Sequence, residues 1–184
     1  SASDPRLAWQ GAISLREEAG AVMPWRLPHD ELPLYPFETL HDRAMRPAGV
    51  RLAFRSDTRR VGGRLADTMG ETRLDLCVDG RLLHSLDLEG LDTFAFPELP
   101  PGEKLLELWL PQFHPVRLLT LELSAGATLS PAQRELPRWT TYGSSITQCK
   151  AAASPARTWP ALVARQHELD LTCLDCLERC LQFG

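Results

Sequence analysis

Through the first two thirds of the chain, apolar and polar residues alternate with a period of two. That spacing turns one face of a strand toward a core and the other away from it. Val50, Leu52 and Phe54 alternate with Arg51, Ala53 and Arg55, and Leu74, Leu76 and Val78 alternate with Asp75, Cys77 and Asp79. Asp79-Gly80 then separates the second run from another apolar stretch, 82–88. An Asp-Gly pair between two such runs is a strong hairpin signal, because both residues tolerate positive φ. Residues 61–65, 93–96, 105–110 and 116–123 complete the series, with Ser56-Asp57-Thr58 as a turn. Closely spaced strands without a helical pattern between them predict an antiparallel sandwich or barrel-like domain, jelly-roll-like, over residues 7–124.

Two stretches break the pattern. Pro24, Pro28, Pro33, Pro36 and Pro47 each remove a backbone donor and restrict the preceding residue, so 24–47 reads as an ordered loop with one short turn at 37–42. Trp9, Trp25 and Tyr35 lie in or near it, as a stacking platform for a ligand or as a satellite core under the loop. Near residue 135 the texture changes. Arg138-Trp-Thr-Thr-Tyr142 is a β-favouring run ending in Gly143, and Ser154-Pro155 reads as a capped helix start. Trp159, Leu162, Val163 and His167 share a helical face through about Glu168, and 169–174 reads as a second strand. Strand, tight turn, helix and strand open a βαβ unit and hence a parallel sheet. The expected division is a sandwich over 1–135 and the start of an α/β domain over 136–184.

Composition narrows the function. The 184 residues are 43% hydrophobic and 24% charged, an ordinary globular balance. A net charge of −4, with arginines scattered along the chain, argues against a nucleic-acid partner. No apolar run is long enough to span a bilayer and the first residues carry no secretory signal pattern, so a soluble chain is expected, its compartment unspecified. Cys173, Cys176 and Cys180 have a C-x2-C-x3-C spacing. Three thiols without a fourth ligand make a poor closed zinc site, and incidental reduced thiols are the simpler reading.

The chemistry concentrates in Gly143-Ser144-Ser145-Ile146-Thr147. A small-residue turn at the carboxyl end of a parallel strand is where open α/β sheets place ligands. Glycine permits the tight bend, a following serine presents its hydroxyl at the nose of a helix, and its amide can help to hold an oxyanion. It is not the G-x-S-x-G elbow, since Thr147 stands at the second Gly position. The plain alternative is a Ser/Thr turn that caps a helix.

Tyr142-Gly-Ser-Ser-Ile-Thr147 resembles the first block, Gly-Asp-Ser-Ile-Thr, of the GDSL-type or SGNH esterases and acylhydrolases. Ala156-Arg-Thr-Trp-Pro160 resembles the start of that family's first helix, and Leu74-Asp-Leu-Cys-Val-Asp-Gly80 resembles the sandwich that precedes some of its members. The resemblance implies that Ser145 is the nucleophile and its amide one oxyanion donor, with Gly143 and Ser144 forming the turn and Ser144 replacing the usual Asp. It also implies an acyl or acetyl ester substrate, such as a small-molecule or carbohydrate ester, and no metal or organic cofactor.

The family's later blocks supply an oxyanion Gly, an oxyanion Asn and an Asp-x-x-His pair. The sequence contains no Asn, and only Gly184 could stand for the glycine. Its histidines are His29, His41, His84, His114 and His167, of which His167 belongs to the helix that follows Ser145. The expectation is a chain truncated early in the hydrolase domain and inactive as it stands, its exposed C-terminal segment packing on the sandwich or on a second copy. The rival reading is a sandwich that binds a glycan or protein partner without catalysis.

Overall fold

A computed structural model describes residues 1–35, 37–66, 73–88, 90–132 and 135–175. Strands β1 (Ala8–Gln10), β2 (Ser14–Glu18) and β3 (Ala21–Trp25) open the chain, and helix α1 (Glu38–Ala44) follows. The alternating runs form β4 (Arg51–Ser56), β5 (Val61–Ala66), β6 (Arg73–Val78), β7 (Arg81–Asp87), β8 (Thr93–Phe96), β9 (Lys104–Trp109) and β10 (Arg117–Leu123). After the short β11 (Ser130–Pro131) come β12 (Arg138–Thr141), helix α2 (Ser145–Gln148), helix α3 (Trp159–Gln166) and β13 (Asp170–Cys173).

The antiparallel sandwich expected over 7–124 is present. One sheet runs β1-β4-β9-β6-β7, with β11 beside β4, and the other runs β2-β3-β10-β5-β8. Leu52, Phe54, Leu74, Leu76, Leu106 and Leu108 of the first sheet meet Val22, Val61, Leu65, Phe94, Phe96 and Leu118 of the second in one core. Asp79 and Gly80 form the β6–β7 hairpin tip with φ of +49° and +76°, the left-handed values a two-residue hairpin demands.

The proline-rich loop is more regular than expected. Pro24 lies inside β3, beyond Val22, where β3 pairs with β10. A 3-10 turn spans His29–Leu34, and α1 runs a full seven residues. Leu40 and Ala44, four apart on α1, are buried against Met23 and Trp25 in a small second core that Tyr35 joins. Trp25 is buried and Trp9 packs against the main core.

The central strands of the first sheet are buried on both faces. Every residue of β9 and all of β6 after Arg73 are buried, including the outward-pointing Asp75, Cys77, Glu107 and Trp109. Their cover is the C-terminal segment, whose Ala156, Ala161, Ala164, Leu171 and Cys173 pack on Cys77 and Trp109. Polar groups on this face hold the cover in place. Arg51, 2% exposed, donates to Asp170 Oδ1 at 3.0 Å and to the Leu171 carbonyl at 3.3 Å. Two guanidinium groups stand over the Trp109 ring, Arg51 at 5.1 Å and Arg165 at 5.5 Å from its centroid. Arg26, fully buried, donates to the carbonyls of Arg43, Arg46 and Cys173 and to Asp175, tying the end of α1 to the end of β13.

Two readings of the C-terminal helix need correction. Ser154-Pro155 starts only a 3-10 turn (Pro155–Arg157), and α3 begins at Trp159, capped by the Thr158 hydroxyl, which accepts from Ala161 N–H. The buried face of α3 is Pro160, Ala161 and Ala164, small residues that approach the sheet closely. Trp159 and Leu162 are 43% and 47% exposed. Among the described residues no helix is long and apolar enough to cross a membrane.

Candidate active site

Strands β12 and β13 pair in parallel, Arg138 with Asp170 through Thr141 with Cys173, as the βαβ pattern requires. At their carboxyl ends the Thr141 hydroxyl meets Cys173 Sγ at 3.3 Å and Leu174 N–H donates to the Thr141 carbonyl. The chain then leaves β12 through Tyr142 and Gly143. A Cβ on Gly143 would stand 2.5 Å from Thr147 Oγ1, so glycine allows the helix to turn back this tightly. Ser144 is extended (φ −85°, ψ −165°) and caps α2, its hydroxyl accepting from Ile146 N–H at 3.4 Å. Ser145 is the first residue of α2 and is exposed, between exposed Tyr142 and Ile146. Neither its hydroxyl nor its amide hydrogen-bonds a described residue.

The sequence pattern suggested that one helix follows Ser145. Two follow: α2 ends after four residues at Cys149, which is left-handed at φ +58°. So short a helix contributes little dipole, and its brace comes from the sandwich. Gln148 Nε2 donates to the Gln112 carbonyl at 3.1 Å, and Gln112 Nε2 donates to the Cys149 carbonyl at 3.4 Å. These two glutamines, both buried, fix the serine turn to the β9–β10 loop of the sandwich. Sequence inspection missed them, because a glutamine among Pro111 to Pro115 carries no motif.

Asp75 was also missed as a contact residue. Fully buried on β6, it accepts from the Ser85 hydroxyl and from Ala156 N–H at 2.8 Å, pinning the turn before α3. Its signal in the sequence was an acid inside an otherwise apolar strand.

None of the five histidines hydrogen-bonds Ser145. His29 meets Asp30 and stacks edge-on against Trp25, and His41 Nε2 contacts the Tyr35 carbonyl. His84 stacks on Phe96, His114 lies in the β9–β10 loop, and His167 is exposed at the end of α3. Of the cysteine cluster, Cys176 and Cys180 lie outside the described residues. Burial pushes the Cys173 thiol up to about 12.

An antiparallel sandwich carrying a strand-turn-helix-strand unit, with a serine at the turn, defines a recognisable architecture. Residues 7–118 match the family model described as SsfX3, N-terminal domain, and the chain belongs to that family. The solved structure of the salicylyl-acyltransferase SsfX3 from a tetracycline biosynthetic pathway is 38% identical, with a TM-score of 0.87 over 94% of this chain and 52% of that one. A putative GDSL-like lipase from Bacteroides ovatus is 19% identical, with a TM-score of 0.73 over 92% of this chain and 55% of that one. A family two carbohydrate esterase from Clostridium thermocellum is 15% identical, with a TM-score of 0.62 over 92% of this chain and 50% of that one. The chain thus spans about half the length of these structures. No match was found among the curated proteins. Similarity to the putative lipase and to the carbohydrate esterase, both under 20% identical, shows a shared fold.

Proposed function

We propose that residues 136–184 are the opening part of an SGNH-type acyl-ester domain and that Ser145 is its nucleophile. One observation carries the reading: Ser145 stands exposed, its hydroxyl and amide without described partners, at the carboxyl end of a parallel strand. The 38% identity to an acyltransferase supports acyl chemistry at this turn. Ser145 Oγ would attack an ester carbonyl while a base takes its proton, and the collapsing intermediate would expel the alcohol. Water or a second alcohol would then release the acyl group from Ser145. The Ser145 amide would donate to the oxyanion. Candidate substrates are small-molecule acyl esters and acetylated carbohydrates.

No histidine of the chain hydrogen-bonds Ser145, so the chain is expected to lack turnover of its own. A serine hydroxyl without a base stays protonated and is a weak nucleophile near neutral pH. The chain and its Ser145→Ala variant should hydrolyse p-nitrophenyl acetate equally slowly. A chain continuing into segments with the family's Gly, Asn and Asp-x-x-His should show turnover that Ser145→Ala abolishes. Strong esterase activity of the 184-residue chain, lost on Ser145→Ala, would overturn the account of its missing base.

A further inference from the structure

The direction in which α2 points Ser145 is set from the sandwich. Within the turn the backbone bonds are internal: Thr147 and Gln148 N–H donate to the Ser144 carbonyl, and Cys149 N–H donates to the Ser145 carbonyl. A helix this short has no stability of its own in water, so what it is tied to decides its tilt. The tie is reciprocal. Gln148 Nε2 donates to the Gln112 carbonyl at 3.1 Å, and Gln112 Nε2 donates to the Cys149 carbonyl at 3.4 Å. Gln148 stands three residues after Ser145, one turn along the same helix, so any tilt about this anchor moves the serine hydroxyl.

The anchor is stiff. Gln112 follows β9, buried at every position, through Leu110, whose N–H donates to the Val50 carbonyl at 3.0 Å. Pro111 and Pro115 flank Gln112-Phe113-His114 and fix two of the loop's backbone torsions. Gln112 and Gln148 are 6% and 4% exposed, so water is poorly placed to substitute for either bond. Apolar side chains could fill the same contact without needing partners, whereas two directional bonds hold it in a single geometry.

We propose that Gln112 and Gln148 are positioning residues for Ser145, so that the sandwich takes part in acyl transfer by fixing the direction of the attacking hydroxyl. This role rests on Ser145 being the nucleophile. Neither glutamine touches the ester; both act through α2. A displacement of about 1 Å at a reacting atom can cost about 10²-fold in rate, so loss of one of the two bonds should cost roughly tenfold.

A chain that continues into the family's Asp-x-x-His segment would be treated with diethyl p-nitrophenyl phosphate. Attack by Ser145 Oγ forms a bond to phosphorus, expels p-nitrophenolate and passes the hydroxyl proton to the base. The amount released counts folded sites, and the rate constant reads the alignment of the hydroxyl. Gln148→Ala and Gln112→Ala should each slow that rate constant roughly tenfold with the amount released unchanged. Methionine keeps the bulk but has no N–H donor, so Gln148→Met and Gln112→Met should be slowed likewise. The double variant Gln112→Ala/Gln148→Ala should be slowed by less than the product of the singles, because both bonds serve one brace. Unchanged rate constants, a smaller amount released at an unchanged rate constant, or methionine variants as fast as the parent would overturn the proposal. Ser145→Ala separates the two readings. Undiminished release from that variant would overturn the nucleophile and the brace together, whereas release that needs Ser145 but ignores both glutamines would overturn the brace alone.

Discussion

Asp75 offers the sharpest test of how the sandwich holds the strand-turn-helix segment. Its carboxylate accepts two hydrogen bonds, from Ser85 in its own hairpin and from Ala156 N–H in the segment that carries α3. Ala156 is fully buried, so replacing Asp75 by Ala would strand its amide without water. An unsatisfied buried amide costs about 1–3 kcal/mol, and the lost bond to Ser85 adds about 0.5–1.5 kcal/mol. Asp75→Ala should therefore destabilise the protein by about 2–4 kcal/mol. Asp75→Asn is different. Its carbonyl can still accept from Ala156 N–H while its amide donates to the Ser85 hydroxyl, so the loss should stay near 1 kcal/mol. Urea unfolding of the parent, both variants and Ser85→Ala gives these values, and the double variant Asp75→Ala/Ser85→Ala should lose less than the two singles summed. Equal, small losses for Ala and Asn would refute the bridge from β6 to Ala156.

Two further outcomes follow from the same packing. Gly49 has φ +74° and a Cβ there would lie 2.6 Å from Cys173 Sγ, so Gly49→Ala should cost about 2–4 kcal/mol in urea unfolding, against near zero for the solvent-facing Leu162→Ala. Burial pushes the Cys77 and Cys173 thiols up to about 12, from an ordinary value near 9. The folded state then holds these protons more tightly than the unfolded state does. Their contribution to stability is full below the unfolded value and declines as pH rises through 9 toward 12. At about pH 8 iodoacetamide should leave both thiols unmodified in the native protein and label both in urea, as peptide mass spectrometry would show.

The legible part of the fold was the part whose strands alternate apolar and polar residues along the sequence. The β6–β7 hairpin was readable because Asp79-Gly80 interrupts two alternating runs. The opening strands were not. β3 is buried at all five positions and contains Pro24, while β2 has one apolar side chain, Leu15, so neither shows a period. Helix α1 was hidden by the prolines on both sides of it, although Leu40 and Ala44 already had helical spacing. Arg51, Asp75 and Glu107 look like the solvent side of their strands, yet they are buried contacts or neighbours of the C-terminal segment. Alternation says which residues share a face but not what covers that face. At the candidate site, the Gly143-Ser144-Ser145 turn was readable from its small residues. The break between α2 and α3 was not, because it depends on Gln112, 36 residues before Gln148.

The most direct test of the central claim looks for the acyl group itself. A chain that continues into the family's Asp-x-x-His segment would be mixed with p-nitrophenyl acetate, quenched in acid within the first turnovers and digested for peptide mass spectrometry. The account predicts an acetyl group on the peptide that contains Ser145, placed on Ser145 by fragmentation, and absent from the Ser145→Ala variant. Turnover with the acetyl group on another side chain, or undiminished turnover by Ser145→Ala, would contradict it.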